Sequence, residues 1–153
     1  MDKASVSVRP ERIDLAAEMA RFAPDGDAGA VVTFTGYCRD EAGRLSALEL
    51  EHYPGMAERE IGRIAGEAVE RWSLLRLCCI HRHGLIRPGE EIVFVAAASL
   101  HRGAAFEAAS FVMDFMKTRA PFWKREHLVD GTIGGWVAAK DTDDAATDRW
   151  HRL

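Results

Sequence analysis

The sequence predicts an α+β fold with a mixed sheet and about three helices. Two observations carry this. Strand-like and helix-like segments interleave along the chain, and the strand segments between helices come in hairpin-like pairs. Together they argue against a doubly wound sheet.

Taken in order, Ser5 to Val8 alternates as a short strand. Asp14 is placed to cap a short helix carrying Leu15, Met19 and Phe22, which the turn-rich segment 23–28 ends. Ala30 to Thr35 is apolar and β-branched, which predicts a strand buried on both faces. After the polar connection at 40–44, Leu48, Leu50 and His52 alternate with Glu49 and Glu51, a strand with one solvated face. Tyr53-Pro54-Gly55 is a turn. Ile61, Ile64, Ala65, Ala68 and Trp72 then recur at helical spacing, with charged residues on the other side. A strand at 74–81, a turn at Arg87-Pro88-Gly89 and a strand at 91–99 follow. The longest helix is expected from Gly103 to Thr118, with Phe106, Ala109, Met113 and Met116 on its packed stripe. Pro121 disfavours helical geometry at Ala120 and stops it. Short strands are expected around 122–128 and 135–139, then a polar tail over 141–153 that includes Trp150.

A length of 153 residues suits a single domain over 1–153. The net charge of −4 argues against a dedicated duplex-DNA binder. Cys38, Cys78 and Cys79 are too few and too oddly spaced for a disulfide framework, which points to a reducing, cytoplasmic setting. The N-terminus lacks the apolar core of a signal peptide, and no run approaches the ~20 apolar residues of a membrane span.

The most unusual stretch is KTRAPFWKRE at 117–126. Lys117, Arg119, Lys124 and Arg125 fall there without an intervening acid, inside a net-acidic chain. A solvated basic turn is one reading. The other is a catalytic or anion-binding site, because a helix that runs into Ala-Pro-Phe-Trp gives the lysines a stiff, partly apolar wall. His101-Arg102 opens the long helix, where free N–H groups favour an anion, although a plain helix entry fits equally. Arg39 follows an apolar strand through Gly36. His81-Arg82-His83 places two rings on one strand face, but no Cys-x-x-Cys or His-Glu-x-x-His pattern joins them, so no metal is expected. Cys38 beside Arg39 reads as a buried thiol or a reactive one. No Gly-rich phosphate loop or nucleophile elbow is present, and GTIGG at 131–135 reads as a flexible turn.

The segments AVVTFTG…R at 30–39, LELEHYPGM at 48–56, HRHG at 81–84, PGEEIVFV at 88–95, HR…AF at 101–106 and KTRAPFWKRE together resemble the catalytic (large) subunit of molybdopterin synthase. The likeness runs in order from about residue 29 to Lys140. It implies an α/β hammerhead-type fold, a homodimer, and a small ubiquitin-like sulfur-carrier subunit ending in Gly-Gly. The carrier's C-terminal thiocarboxylate would deliver sulfur to cyclic pyranopterin monophosphate, and two transfers would make the dithiolene of molybdopterin. No cofactor is implied. Carried across residue by residue, Lys117 and Lys124 match the family's two catalytic lysines. Arg39, His101, Arg102, Arg125 and Glu126 fall on its substrate pocket. Tyr37, Cys38 and Lys140 are further candidates for that pocket, although Tyr37 and Cys38 depart from what relatives commonly carry before the arginine and Lys140 stands where an arginine is common.

The chemistry suits such residues. A phosphate-bearing pterin and a carrier tail are both anions, so one site needs several cations of different reach. Lysine can exchange a proton, whereas arginine only clamps. The rival from another class is a non-catalytic module that binds a ubiquitin-like partner's tail. A single-stranded nucleic-acid binder stacking bases on Phe122 and Trp123 is disfavoured by the net charge.

Overall fold

The computed structural model describes residues 2–138 and Trp150. Its element order is β1 (Ala4–Arg9), α1 (Leu15–Phe22), β2 (Ala30–Tyr37), β3 (Leu45–His52), α2 (Met56–Trp72), β4 (Arg76–Arg82), β5 (Gly84–Ile86), β6 (Glu91–Ser99), α3 (Arg102–Thr118) and β7 (Phe122–Leu128). This is the α+β class that the sequence predicts, with three helices among the described residues.

The strands form two sheets where one was expected. A mixed four-stranded sheet has the order β1-β4-β6-β2, with β1 parallel to β4 and the other pairings antiparallel. A separate antiparallel sheet has the order β5-β3-β7. The three-residue β5 has no counterpart in the sequence reading. The main core lies between the four-stranded sheet and the pair α2 and α3. It includes Ile61, Ile64, Leu77, Cys79, Val95, Phe111 and Val112. A second cluster on the sheet's other face gathers Ile13, Phe22, Ile80 and Phe94, so β4 and β6 alternate their side chains between two apolar layers.

Caps and turns fall where the residues call for them. The Asp14 carboxylate accepts from Ala17 N–H at the start of α1. Gly55, at φ +84°, begins α2, and its own N–H donates to Glu58 Oε2 at 2.7 Å.

Three further expectations are corrected. β2 is not buried on both faces: it is an edge strand paired only with β6, and every residue on it is half-buried or exposed. The doubly covered strands are β4 and β6. Phe106 is not on the packed stripe of α3. It is 61% exposed, one residue beyond Ala105 and so about 100° further round the helix. The stripe itself runs through Ala105, Ala108, Ala109, Val112 and Met116, beside Phe111 and Phe115. No strand forms over the described part of 135–139, where a single bridge joins Lys124 to Val137. Trp150, the described residue of the polar tail, belongs to the core, buried edge-on against Trp72 and Phe111.

Candidate active site

Pro121 sits between two elements that approach each other. α3 closes at Arg119, and the Phe122 N–H donates to the Ala120 carbonyl at 2.8 Å, a tight turn around the proline. This puts Lys117, in the last turn of α3, and Lys124, in the middle of β7, on walls of one cleft of about 440 Å³. Leu48, Leu50, Ile92 and Met116 supply apolar lining, and Phe122 and Trp123 border it as well. No Asp or Glu lines it among the described residues. A cavity of about 60 Å³ adjoins, lined in part by Phe34, Gly36, Tyr37 and Met113. Both spaces share His81, Ile92, Met116 and Lys117. Lys117 is exposed along this opening and has no ion-pair partner among the described residues. Its charge is therefore available to an anionic ligand.

His81 is the site residue that the sequence reading missed. It ends the face of β4 that carries Leu77 and Cys79, so alternation brings its ring to the rim of the main core. There it stacks on Phe122, with centroids 3.9 Å apart and planes 18° from parallel. Nδ1 lies 2.8 Å from the Arg82 carbonyl oxygen. A carbonyl only accepts, so Nδ1 carries the proton and Nε2 the lone pair. Burial lowers the ring's pKa to about 4, with nearby Lys117, His52 and His83 adding to the shift against the carbonyl bond. The ring is neutral near neutral pH. The strand period was the available signal, because it separates His81 from Arg82, which turns the opposite way to Pro10 and Glu90.

The remaining predicted residues that the structure describes lie outside the cleft lining of one chain. Tyr37 is half exposed and lines only the smaller cavity. Arg39 is exposed, 3.5 Å from Glu41. Cys38 is buried with Leu45, Leu50 and Ile86, and burial pushes its thiol up, away from the reactive thiolate. His101 and Arg102 are exposed at the opposite end of α3, which puts Arg102 about 22 Å from Lys117 by helix rise. Arg125 alternates to the other face of β7. Its Nε donates to Glu49 Oε1 at 2.8 Å, and its guanidinium lies 4.4 Å over the Trp136 ring. Arg125, and then His127, hold the Glu49 carboxyl below the usual carboxylate range. Glu126 is half-buried on the Lys124 face of β7, and its carbonyl accepts from Gly134 N–H. Lys140 lies outside the described residues. Among them no cluster of three or more His, Cys, Asp or Glu is arranged to hold a metal ion, and no helix is long and apolar enough to cross a membrane.

Known proteins match this chain over nearly its whole length. The family described as MoaE protein matches residues 8–119. The molybdopterin synthase catalytic subunit of Brucella melitensis is 64% identical over 147 residues, covering 95% of this chain and 90% of that one. The protein of the same name from Escherichia coli is 46% identical over 152 residues, covering 98% and 100%. A solved structure, the molybdopterin biosynthesis MoaE protein from Burkholderia ambifaria, superposes with a TM-score of 0.82 at 44% identity, covering 97% of this chain and 98% of that one. With the two lysines set across one cleft on a matching fold, this chain belongs to the MoaE family.

Proposed function

We propose that this chain is the catalytic subunit of a molybdopterin synthase. It moves sulfur from the C-terminal thiocarboxylate of a small ubiquitin-like carrier subunit to cyclic pyranopterin monophosphate, and two such transfers form the dithiolene of molybdopterin. The observation that carries this reading is the cleft itself, with Lys117 and Lys124 on its walls and no carboxylate in its described lining, in a MoaE chain. Such a lining attracts two anions without repelling either. Lys117 serves the thiocarboxylate, and Lys124 acts as acid, base and anion partner for the pterin. The carrier's Gly-Gly tail, having no side chains, suits a narrow approach to the cleft.

Because Lys117 is exposed in the single chain, the bound carrier has to supply the water exclusion that strengthens its charge. A homodimer belongs to the same proposal. Arg39, His101 and Arg102 lie exposed off the cleft of their own chain, Arg39 beside Glu41, and are placed to serve the cleft of a second copy. Val31, Phe34, Leu100 and Phe106 are exposed apolar residues on β2 and about the start of α3, the surface such a copy would cover. A cytoplasmic location fits the three buried free thiols.

The test combines purified chain, thiocarboxylated carrier and cyclic pyranopterin monophosphate, with molybdopterin detected as its oxidised fluorescent product. Product formation is expected. Tight carrier binding without product would instead identify a non-catalytic tail-binding module. Sedimentation should give a dimer at micromolar concentration, and deleting the carrier's two terminal glycines should weaken the complex.

A further inference from the structure

The cleft presents an imbalance of hydrogen-bonding groups. Lys117, Arg119 and Lys124 are all donors and offer no acceptor. Among the lining side chains, Thr118 has a hydroxyl, at once donor and acceptor, which donates within α3 to the Asp114 carbonyl at 3.0 Å. His81 is different. Its Nδ1 proton is committed to the Arg82 carbonyl, and its Nε2 lone pair has no partner among the described residues. The ring lines both the cleft and the smaller cavity and is held in plane by Phe122. It is a fixed, neutral acceptor among cations.

A phosphate or a carboxylate tail has no use for such a group. A pterin does, because its pyrimidine and reduced pyrazine rings carry N–H donors that are costly to bury unpaired. We propose that His81 is a substrate-binding and specificity-determining residue, whose Nε2 accepts a hydrogen bond from a ring N–H of the bound pterin. This rests on the molybdopterin synthase reading above and adds to it the residue that reads the ring, as distinct from those that hold the charges. Phe122, stacked on the same imidazole, fixes the acceptor's direction. Arg82 fixes the strand behind it, with its guanidinium bonded to the Pro10 carbonyl, Glu90 and the Glu91 carbonyl. A site built to bond a donor rejects analogues that lack it far more strongly than a site shaped only by apolar contact.

The experiment measures cyclic pyranopterin monophosphate binding by calorimetry, with inorganic phosphate as a second ligand. Three proteins are compared: wild type, His81→Phe and His81→Gln. Phe keeps the stack on Phe122 and removes the acceptor, while Gln keeps an acceptor oxygen near the position of Nε2. The pterin should bind His81→Phe on the order of tenfold more weakly, and His81→Gln should recover most of that loss. Phosphate affinity should be the same in all three, since the lysines are untouched. Should His81→Phe not fold, a His81→Gln variant that binds like wild type supports the proposal, and a tenfold loss in it overturns the proposal. Wild-type pterin affinity in folded His81→Phe would overturn it while leaving the molybdopterin synthase reading intact. Parallel losses for pterin and phosphate would also overturn it, by marking His81 as structural. A wild-type protein that neither binds nor converts the pterin would overturn the functional reading and this inference with it.

Discussion

His81 and Phe122 are stacked 3.9 Å apart across the boundary between the two sheets, one on β4 and the other at the start of β7. The contact joins the strand that ends the main core to the strand that carries Lys124. It also encloses an imidazole whose Nδ1 proton is already engaged, so a second proton would place a buried charge beside Lys117.

The pH dependence follows from that burial. His81 has a folded pKa of about 4, below its ordinary value of 6.5. As pH falls through 6.5, the unfolded chain takes up a proton that the folded chain refuses, so stability is full above that value and declines toward pH 4. The loss is on the order of 2–3 kcal/mol when this group alone is considered. Urea unfolding at pH 7.5 and pH 4.5 should show the decline, and His81→Phe should flatten it. An NMR titration should find the folded His81 ring still neutral at pH 5.5. A midpoint near 6.5 would contradict the burial argument.

The path from Lys117 to Lys124 is legible in the sequence because each local signal agrees with the next. Helical periodicity ends at a proline, and a short strand is expected directly after it. The exposure of β2 is not legible. A β-branched run such as Ala30 to Thr35 looks the same whether its strand is central or at an edge, and only pairing decides. Phe106 misleads for a related reason, since a large apolar residue beside a stripe of alanines suggests burial although one residue's rotation carries it to solvent. β5 is hidden because three residues are too few for a period to show. His81 was visible as a histidine but not as a site residue, because its partner Phe122 lies 41 positions along the chain.

Gly29 tests the fit at the entry to β2. A Cβ there would run into the Leu100 carbonyl oxygen, and the Gly29 N–H donates to the Ser99 carbonyl at 3.0 Å. Backbone crowds backbone, so no side chain can swing aside. Gly29→Ala should destabilise the fold by about 1–3 kcal/mol. Gly62 in α2 has open space around its would-be Cβ, and Gly62→Ala should stabilise by up to about 1 kcal/mol. Chemical denaturation of both variants reads the contrast, and equal effects would show that the approach at Leu100 relaxes freely.

Cys38 lies one residue from Arg39 and invites a sulfur-relay role that its surroundings oppose. The side chain is buried in an apolar cluster, its thiol faces the Ile86 carbonyl at 3.8 Å, and burial raises its pKa. In the proposed reaction sulfur arrives on the carrier. Cys38→Ala should therefore keep most turnover while losing some stability from the small cavity it leaves. Loss of most activity in a folded variant would show that sulfur passes through this thiol.

Lys117 and Lys124 should be individually essential and not interchangeable. One projects from the end of a helix and the other from a strand, so each meets a different part of whatever enters the cleft. Removing either ammonium should cost on the order of 3 kcal/mol of transition-state stabilisation, roughly a hundredfold in rate, as for the loss of one preorganised electrostatic donor. Folding should survive, because Lys117 is exposed and Lys124 only half-buried. Lys→Arg should rescue in part at most. Guanidinium keeps the charge but cannot give up its proton near neutral pH, and its planar fork is bulkier than an ammonium. The measurement is molybdopterin formation by folded Lys117→Ala, Lys124→Ala and the two arginine variants, with carrier binding followed separately. Near-normal turnover in either alanine variant would remove that lysine from the catalytic assignment. Full rescue by arginine would show that the lysine holds an anion and moves no proton. If Lys117→Ala slows product formation while carrier affinity is kept, the ammonium acts on the reacting thiocarboxylate and not only on docking.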